Sequence, residues 1–134
     1  MCNHTKNHKN ICTMTDKEAL ENLRALEMLY EEKTGREMAK FFRFPEGRYS
    51  LEKLKLLKEQ GYTTVFWSLA YDDWDDARQP SAKAAIKKLL SRTQDGEIIL
   101  LHPTSSTNAE ILGTLIDEWR KMGYSFARLD EFGQ

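Results

Sequence analysis

Apolar positions recur at helical spacing in four stretches of the chain and bunch into β-branched or aromatic runs between them. After a polar start, Ala19, Leu23, Leu26 and Tyr30 follow the 3.6-residue period, with Thr15 or Asp16 as the cap and Gly35 as the stop, which predicts a first helix. A short apolar run, AKFFR, follows it. Ser50 caps a second predicted helix, SLEKLKLLKEQG, with Leu51, Leu54, Leu57 and Lys58 on one face and Gly61 at its end. The segment YTTVFWSLA reads as a strand. The acidic stretch YDDWDDARQP then leads through Pro80 and Ser81 to a third helix, SAKAAIKKLLSR, and Asp95-Gly96 turns the chain into a strand, EIILLH. A loop, PTSSTN, a fourth helix, AEILGTLIDEWRKMG, and a final strand, YSFARL, complete the series. There is no tandem repeat, low-complexity segment or linker.

Strands alternating with helices predict βαβ units and an α/β fold with a largely parallel sheet. In such folds chemistry collects at the C-terminal ends of the strands. That rule selects Arg43 with the loop after it, the AYDDWDD loop, and His102 with the loop after it.

Composition narrows the class without naming a chemistry. A chain of 134 residues suits one domain with a single sizeable core. A net charge of -1 offers no basic excess to hold a phosphate backbone, so nucleic acid is not an expected partner. No apolar run approaches the roughly 18 residues that a membrane span needs, and the N-terminus lacks a positive stretch followed by an apolar one.

The candidate chemistry sits at two places. His4 and His8 are four apart, close enough for both imidazoles to meet one metal ion, whereas His102 closes the predicted strand EIILLH. Cys2 and Cys12 flank the first two histidines, which argues against a disulfide framework and leaves open a structural zinc site of Cys2His2 type. The spacing does not follow the usual knuckle. A solvated polar terminus with incidental histidines is the plain alternative.

The order of the remaining motifs changes the picture. HTKNH, RFPEG, DW and ILLH, in that order and at predicted strand ends, resemble the second to fifth motifs of the polysaccharide deacetylases, the NodB-homology domain of carbohydrate esterase family four. The resemblance runs from His4 to about Phe132. Within the family, the segments FFRFPEGRYS, GYTTVFWSLAYDDW, GEIILLHPTSSTNAEIL and GYSFARLDEF are most similar to the subgroup that deacetylates N-acetylmuramic acid on the way to the muramic δ-lactam of the spore cortex. The resemblance implies an incomplete, distorted (β/α) barrel lacking its N-terminal strands, with residues 1–134 as the C-terminal portion of one deacetylase domain. It also implies a cell-envelope or extracytoplasmic setting and a glycan substrate, peptidoglycan or a related polysaccharide.

The resemblance assigns roles residue by residue. His4 and His8 would be metal ligands, with Thr5 between them holding the loop through its hydroxyl. The metal, zinc or another divalent ion, would polarise the acetamide carbonyl and lower the pKa of a bound water. Arg43 would tune the base carboxylate, Pro45 would stiffen its loop, and a backbone N–H near Glu46 would face the developing oxyanion. Asp73 would pair with His102, the general acid, and favour its imidazolium form. Trp74 and Leu100 would wall the acetyl pocket. Plainer readings stand beside these: Trp74 as core filling, Leu100 as an ordinary strand residue, Arg43 in a structural ion pair, DDWDD as a solvated acidic loop.

Three departures from the family pattern stand out. Ala70 occupies the slot three residues before Asp73 where many members carry Asp, and Glu46 replaces a common Tyr. The family's first motif, an Asp pair that supplies the base and the third metal ligand, lies upstream of the histidines, and no Asp occurs here before Asp16. The chain as it stands is therefore expected to bind zinc weakly, to lack deacetylase activity, and to offer an open sheet edge for self-association. A non-catalytic domain that only binds glycan is the competing expectation, and a small zinc-binding interaction module is a third.

Overall fold

In the computed structural model, which describes residues 1–131, Thr15 caps the first helix. Its hydroxyl accepts from the Glu18 N–H, and the Glu18 carboxylate accepts in return from the Thr15 N–H at 2.8 Å. Helix α1 (Asp16–Thr34) stops at Gly35, whose φ of 66° is the left-handed conformation that a residue without a Cβ enters freely. Of the predicted stripe, Ala19 and Leu23 are buried, and Leu26 and Tyr30 are half-buried.

The chain divides into two compact units, Met1–Phe66 and a second that begins at Trp67. The first holds a sheet of three short strands, β1 (Cys2–Asn3), β2 (Ala39–Phe42) and β3 (Thr63–Thr64), in that order and all parallel. Helix α2 (Leu51–Glu59) is capped by Ser50 as expected, but its inner face differs from the predicted one. Leu51 is exposed, Lys58 is exposed, and Lys53 is buried beside Leu57. The cause is electrostatic: the Lys53 ammonium pairs with Asp16 in the first turn of α1, so an aliphatic stem packs inside while its charge stays neutralised. Around the sheet, Ile11, Ala19, Leu23, Phe42, Phe44, Leu57 and Tyr62 form one core. Phe42 and Phe44, both fully buried, meet edge to face at 5.0 Å. Each contributes about 2–3 kcal/mol by leaving water.

The second unit packs helix α3 (Ala82–Leu90) with helix α4 (Ser106–Lys121) through Ala85, Leu89, Ile111 and Leu115, with Leu69, Tyr71 and Trp119 completing the core. Three predicted elements are altered. YTTVFWSLA yields only β3 and, further on, a single parallel bridge between Leu69 and Ile99. EIILLH is reduced to the other side of that bridge. At its edge the Ser68 hydroxyl takes the Ile98 N–H at 3.2 Å, so a side chain replaces a rung of the backbone ladder. YSFARL is not a strand. Tyr124 donates its N–H to the Trp119 carbonyl at 2.9 Å, and Phe126 packs on Trp119 at 6.1 Å, which folds the segment back onto the end of α4. Phe132, the last residue of the resemblance, lies outside the described residues. Helix α4 begins at Ser106 rather than Ala109, because Ser105 caps it by accepting the Asn108 N–H at 3.0 Å. The α/β class with parallel pairing stands as expected.

Candidate active site

The first unit builds its site where β1 and β2 end side by side. The Arg43 N–H donates to the Asn3 carbonyl at 3.1 Å, and in return the His4 Nδ1–H donates to the Arg43 carbonyl at 2.6 Å. A carbonyl only accepts, so the proton is on Nδ1 and the lone pair of the neutral ring is on Nε2. The His8 ring meets the His4 ring edge-on, 4.8 Å between centroids. Between them the backbone is strained: Thr5 has φ 66° and His8 φ 56°, a region that side-chain-bearing residues rarely enter and β-branched ones least.

Asn3 holds this turn in place. Fully buried, it accepts the Thr5 N–H at 2.9 Å and donates to the Leu23 carbonyl at 3.0 Å and the Tyr62 hydroxyl at 3.2 Å. The expected role of the Thr5 hydroxyl is therefore corrected. Its oxygen is buried without a hydrogen-bond partner among the described residues, because the turn has already closed through the Thr5 backbone. Tyr62 in turn donates to Glu27. Arg43 is half-buried, and burial lowers its guanidinium below the ordinary value; no carboxylate among the described residues pairs with it, so the structural ion pair is not found. Pro45 is buried and starts a 3-10 turn in which Glu46 takes φ 55°, its carboxylate ion-paired with Arg48 at 2.9 Å in the open.

The second unit builds around one buried carboxylate. Asp73 is 0% exposed; its Oδ2 accepts the His102 backbone N–H at 2.7 Å and its Oδ1 pairs with the His102 Nδ1 at 2.8 Å. The expected Asp73–His102 pairing is thus present, with the imidazole still 29% exposed. Asn108 donates to Asp73 Oδ2 and to the His102 carbonyl, and Tyr71 donates to Asn108. Gln79 donates to the carbonyls of Asp73 at 3.0 Å and Asp75 at 2.8 Å, and it accepts from Ser105. Burial first, then the neighbouring Asp73 carboxylate, pushes the Tyr71 phenol up, so it stays a donor. Trp74 is 63% exposed and does not fill the core; Leu100 is half-buried, with its N–H on the Leu69 carbonyl at 2.9 Å.

Asn3, Asn108, Tyr71 and Gln79 escaped the sequence reading. Asn3 adjoins the histidine motif, and that adjacency was its signal. Asn108 sat in a Ser/Thr/Asn run that composition alone assigns to a loop.

The donor set can be weighed against a divalent metal. Two imidazoles, one with its lone pair fixed on Nε2 by a backbone carbonyl, suit two ligand positions. Among the described residues no group of three or more His, Cys, Asp or Glu gathers. The Cys2–His4–His8–Cys12 quartet is set aside on that ground; the Cys12 thiol instead donates to the Arg48 carbonyl at 3.4 Å.

Comparison with known proteins agrees with both units. The family model for polysaccharide deacetylase matches residues 1–65. The chain is 34% identical over 129 residues to the peptidoglycan-N-acetylmuramic acid deacetylase PdaA of Bacillus subtilis, covering 96% of this chain and 49% of that protein. It thus spans about half the length of the curated relatives it matches. The solved structure of PdaA, described as a family 4 carbohydrate esterase, superposes with a TM-score of 0.92 at 34% identity over 97% of this chain and 56% of that one. A family 4 carbohydrate esterase from Bacillus anthracis superposes with a TM-score of 0.77 at 35% identity, over 97% and 54% of the two chains. These neighbours are (β/α) barrels, and this chain corresponds to about half of one. By its motifs, its parallel α/β fold and these likenesses, the chain is similar to the polysaccharide deacetylases over about half of their length.

Proposed function

We propose that the chain supplies the metal-ligand histidines and the general acid for metal-dependent N-deacetylation of a glycan, the hydrolysis of the acetamide of peptidoglycan N-acetylmuramic acid to release acetate. The observation that carries this reading is the Asp73–His102 pair: a fully buried carboxylate holds both N–H groups of a partly exposed histidine. With Nδ1 committed to Asp73, the imidazolium can give up only its Nε2 proton, which is what a general acid for a departing amine requires.

In the proposed reaction a base carboxylate, which the resemblance assigns to the family's Asp pair, takes a proton from water as the water oxygen adds to the acetamide carbonyl carbon; the C–N bond then breaks and the amine leaves with the proton from His102. His4 and His8 would hold a divalent ion, zinc by its preference for imidazole, and that ion supplies Lewis acidity at the carbonyl and a lowered pKa for water. A backbone N–H near Glu46 is assigned to the developing oxyanion, Arg43 to the tuning of the base carboxylate, buried Pro45 to stiffening its loop, and Trp74 and Leu100 to the walls of the acetyl pocket. A non-catalytic, glycan-binding role is the second reading, favoured by the absence of a third ligand with His4 and His8 among the described residues.

Acetate release from N-acetylated peptidoglycan with zinc present separates the two. We expect no release from the 134 residues alone and robust release from a version that also carries the Asp-Asp motif, with His102→Ala in that version costing about 10²–10⁴-fold in turnover. Robust release from the 134 residues alone would place the base among Asp72, Asp73, Asp75 and Glu46. Failure of the extended version favours the binding role.

A further inference from the structure

We propose that Asn108, held in one amide orientation by Tyr71, is the positioning residue that fixes the Asp73 carboxylate against His102. No functional role attaches to either residue through the family motifs.

The orientation follows from which groups can donate. The Asn108 side chain is within hydrogen-bond distance of three partners: Asp73 Oδ2, the His102 carbonyl at 3.0 Å and the Tyr71 hydroxyl. A carboxylate and a carbonyl only accept, so the amide NH2 must face both, and its two hydrogens are then spent. The amide oxygen is left toward Tyr71, whose hydroxyl must donate. Reversing the amide would set its oxygen against two acceptors at once. All three side chains are sealed, with Tyr71 and Asn108 each 6% exposed and Asp73 0%. Water therefore has little access to replace a lost bond, and an unmade one is costly.

The consequence reaches the imidazole. Asp73 Oδ2 takes both the His102 N–H and the Asn108 amide, which pins the carboxylate plane and aims Oδ1 at the His102 Nδ1. The helix supplies the anchor, because Asn108 lies in the first turn of α4 and its own N–H is bound by the Ser105 cap. The positioning claim stands on this geometry; only its catalytic consequence rests on the reading of His102 as general acid.

The test is the position of the ring proton on His102, read from long-range ¹H–¹⁵N spectra of the 134-residue chain at a pH where the imidazole is neutral. Wild type is expected to carry it on Nδ1 almost entirely. In Asn108→Ala, with the fold confirmed by circular dichroism, the Nδ1 share should fall to about half as the carboxylate loses its fixed plane. Asn108→Leu, close in volume but without an N–H to donate, should disturb the ring as alanine does, whereas a mere packing role would be met by leucine. An unchanged ring in folded Asn108→Ala, or a ring restored to wild type by leucine, would overturn the proposal. Should the position-108 variants fail to fold, Tyr71→Phe removes one hydroxyl only and must move the proton in the same direction; no movement there is equally fatal. In an active deacetylase, Asn108→Ala should lose about 10–100-fold in kcat with KM held. If His102→Ala retains turnover, the general-acid reading fails while the tautomer result still decides the positioning role.

Discussion

His4 and Arg43 lie 39 positions apart, yet the His4 ring donates to the Arg43 backbone carbonyl at 2.6 Å. The neighbouring Arg43 N–H returns to Asn3 at 3.1 Å, so the ends of β1 and β2 are laced together by main chain and imidazole. The orientation of the histidine is therefore set by the backbone at position 43, and the guanidinium is not needed for it.

Zinc affinity should separate those two contributions. Arg43→Ala is expected to hold affinity within about twofold, whereas His4→Ala and His8→Ala should each lower it about tenfold or more. Competition titration against a chromogenic chelator reads all three. An arginine effect equal to the histidine effects would contradict the backbone assignment.

Asn3→Leu keeps the volume and removes the polarity. It leaves the Thr5 N–H and the Leu23 carbonyl without their buried partner, beside a threonine already held at φ 66°. The loss should be about 2–4 kcal/mol by urea unfolding, concentrated in the unit that contains the histidines. A change under about 0.5 kcal/mol would show that the turn closes by other means.

Removing the Asp73 carboxylate should damage stability as well as chemistry. Asp73→Ala strands the His102 N–H, the His102 Nδ1–H and one Asn108 hydrogen in a sealed site, for an expected cost of about 3 kcal/mol. His102→Ala, truncating a ring that is 29% exposed, should cost less. Thermal or urea unfolding of the two variants side by side gives the ranking.

Acid sensitivity should trace in part to Glu27. Burial alone would raise its carboxyl, but hydrogen bonds from Lys40 and Tyr62 outweigh burial and hold it below the ordinary 4.5. The native state thus binds fewer protons than the unfolded chain across the acidic window. Its contribution is complete above the unfolded value and is lost as pH falls through the depressed folded one. The gap in stability between wild type and Glu27→Gln should be constant near neutrality and close below about pH 4.5. Tyr62 does not confuse the reading, since burial and then Glu27 push its phenol up and keep it protonated.

The helices were legible in the sequence because their information is local. Thr15, Ser50 and Ser81 each cap a helix where a polar oxygen precedes a 3.6-residue stripe, and Gly35 ends one where only glycine is unstrained. The pairing of Asp73 with His102 was legible too, through motif order. Strand extent was not, because a strand exists only where a partner lies alongside: YTTVFWSLA and EIILLH have the composition of strands and share one bridge. Nor was the burial of Lys53, which depends on Asp16 arriving from another helix. The residues that hold the two sites, Asn3 and Asn108, carry no periodicity and no motif of their own. An asparagine is read as a turn former until the fold surrounds it with acceptors and excludes water, and only then does its amide fix the groups beside it.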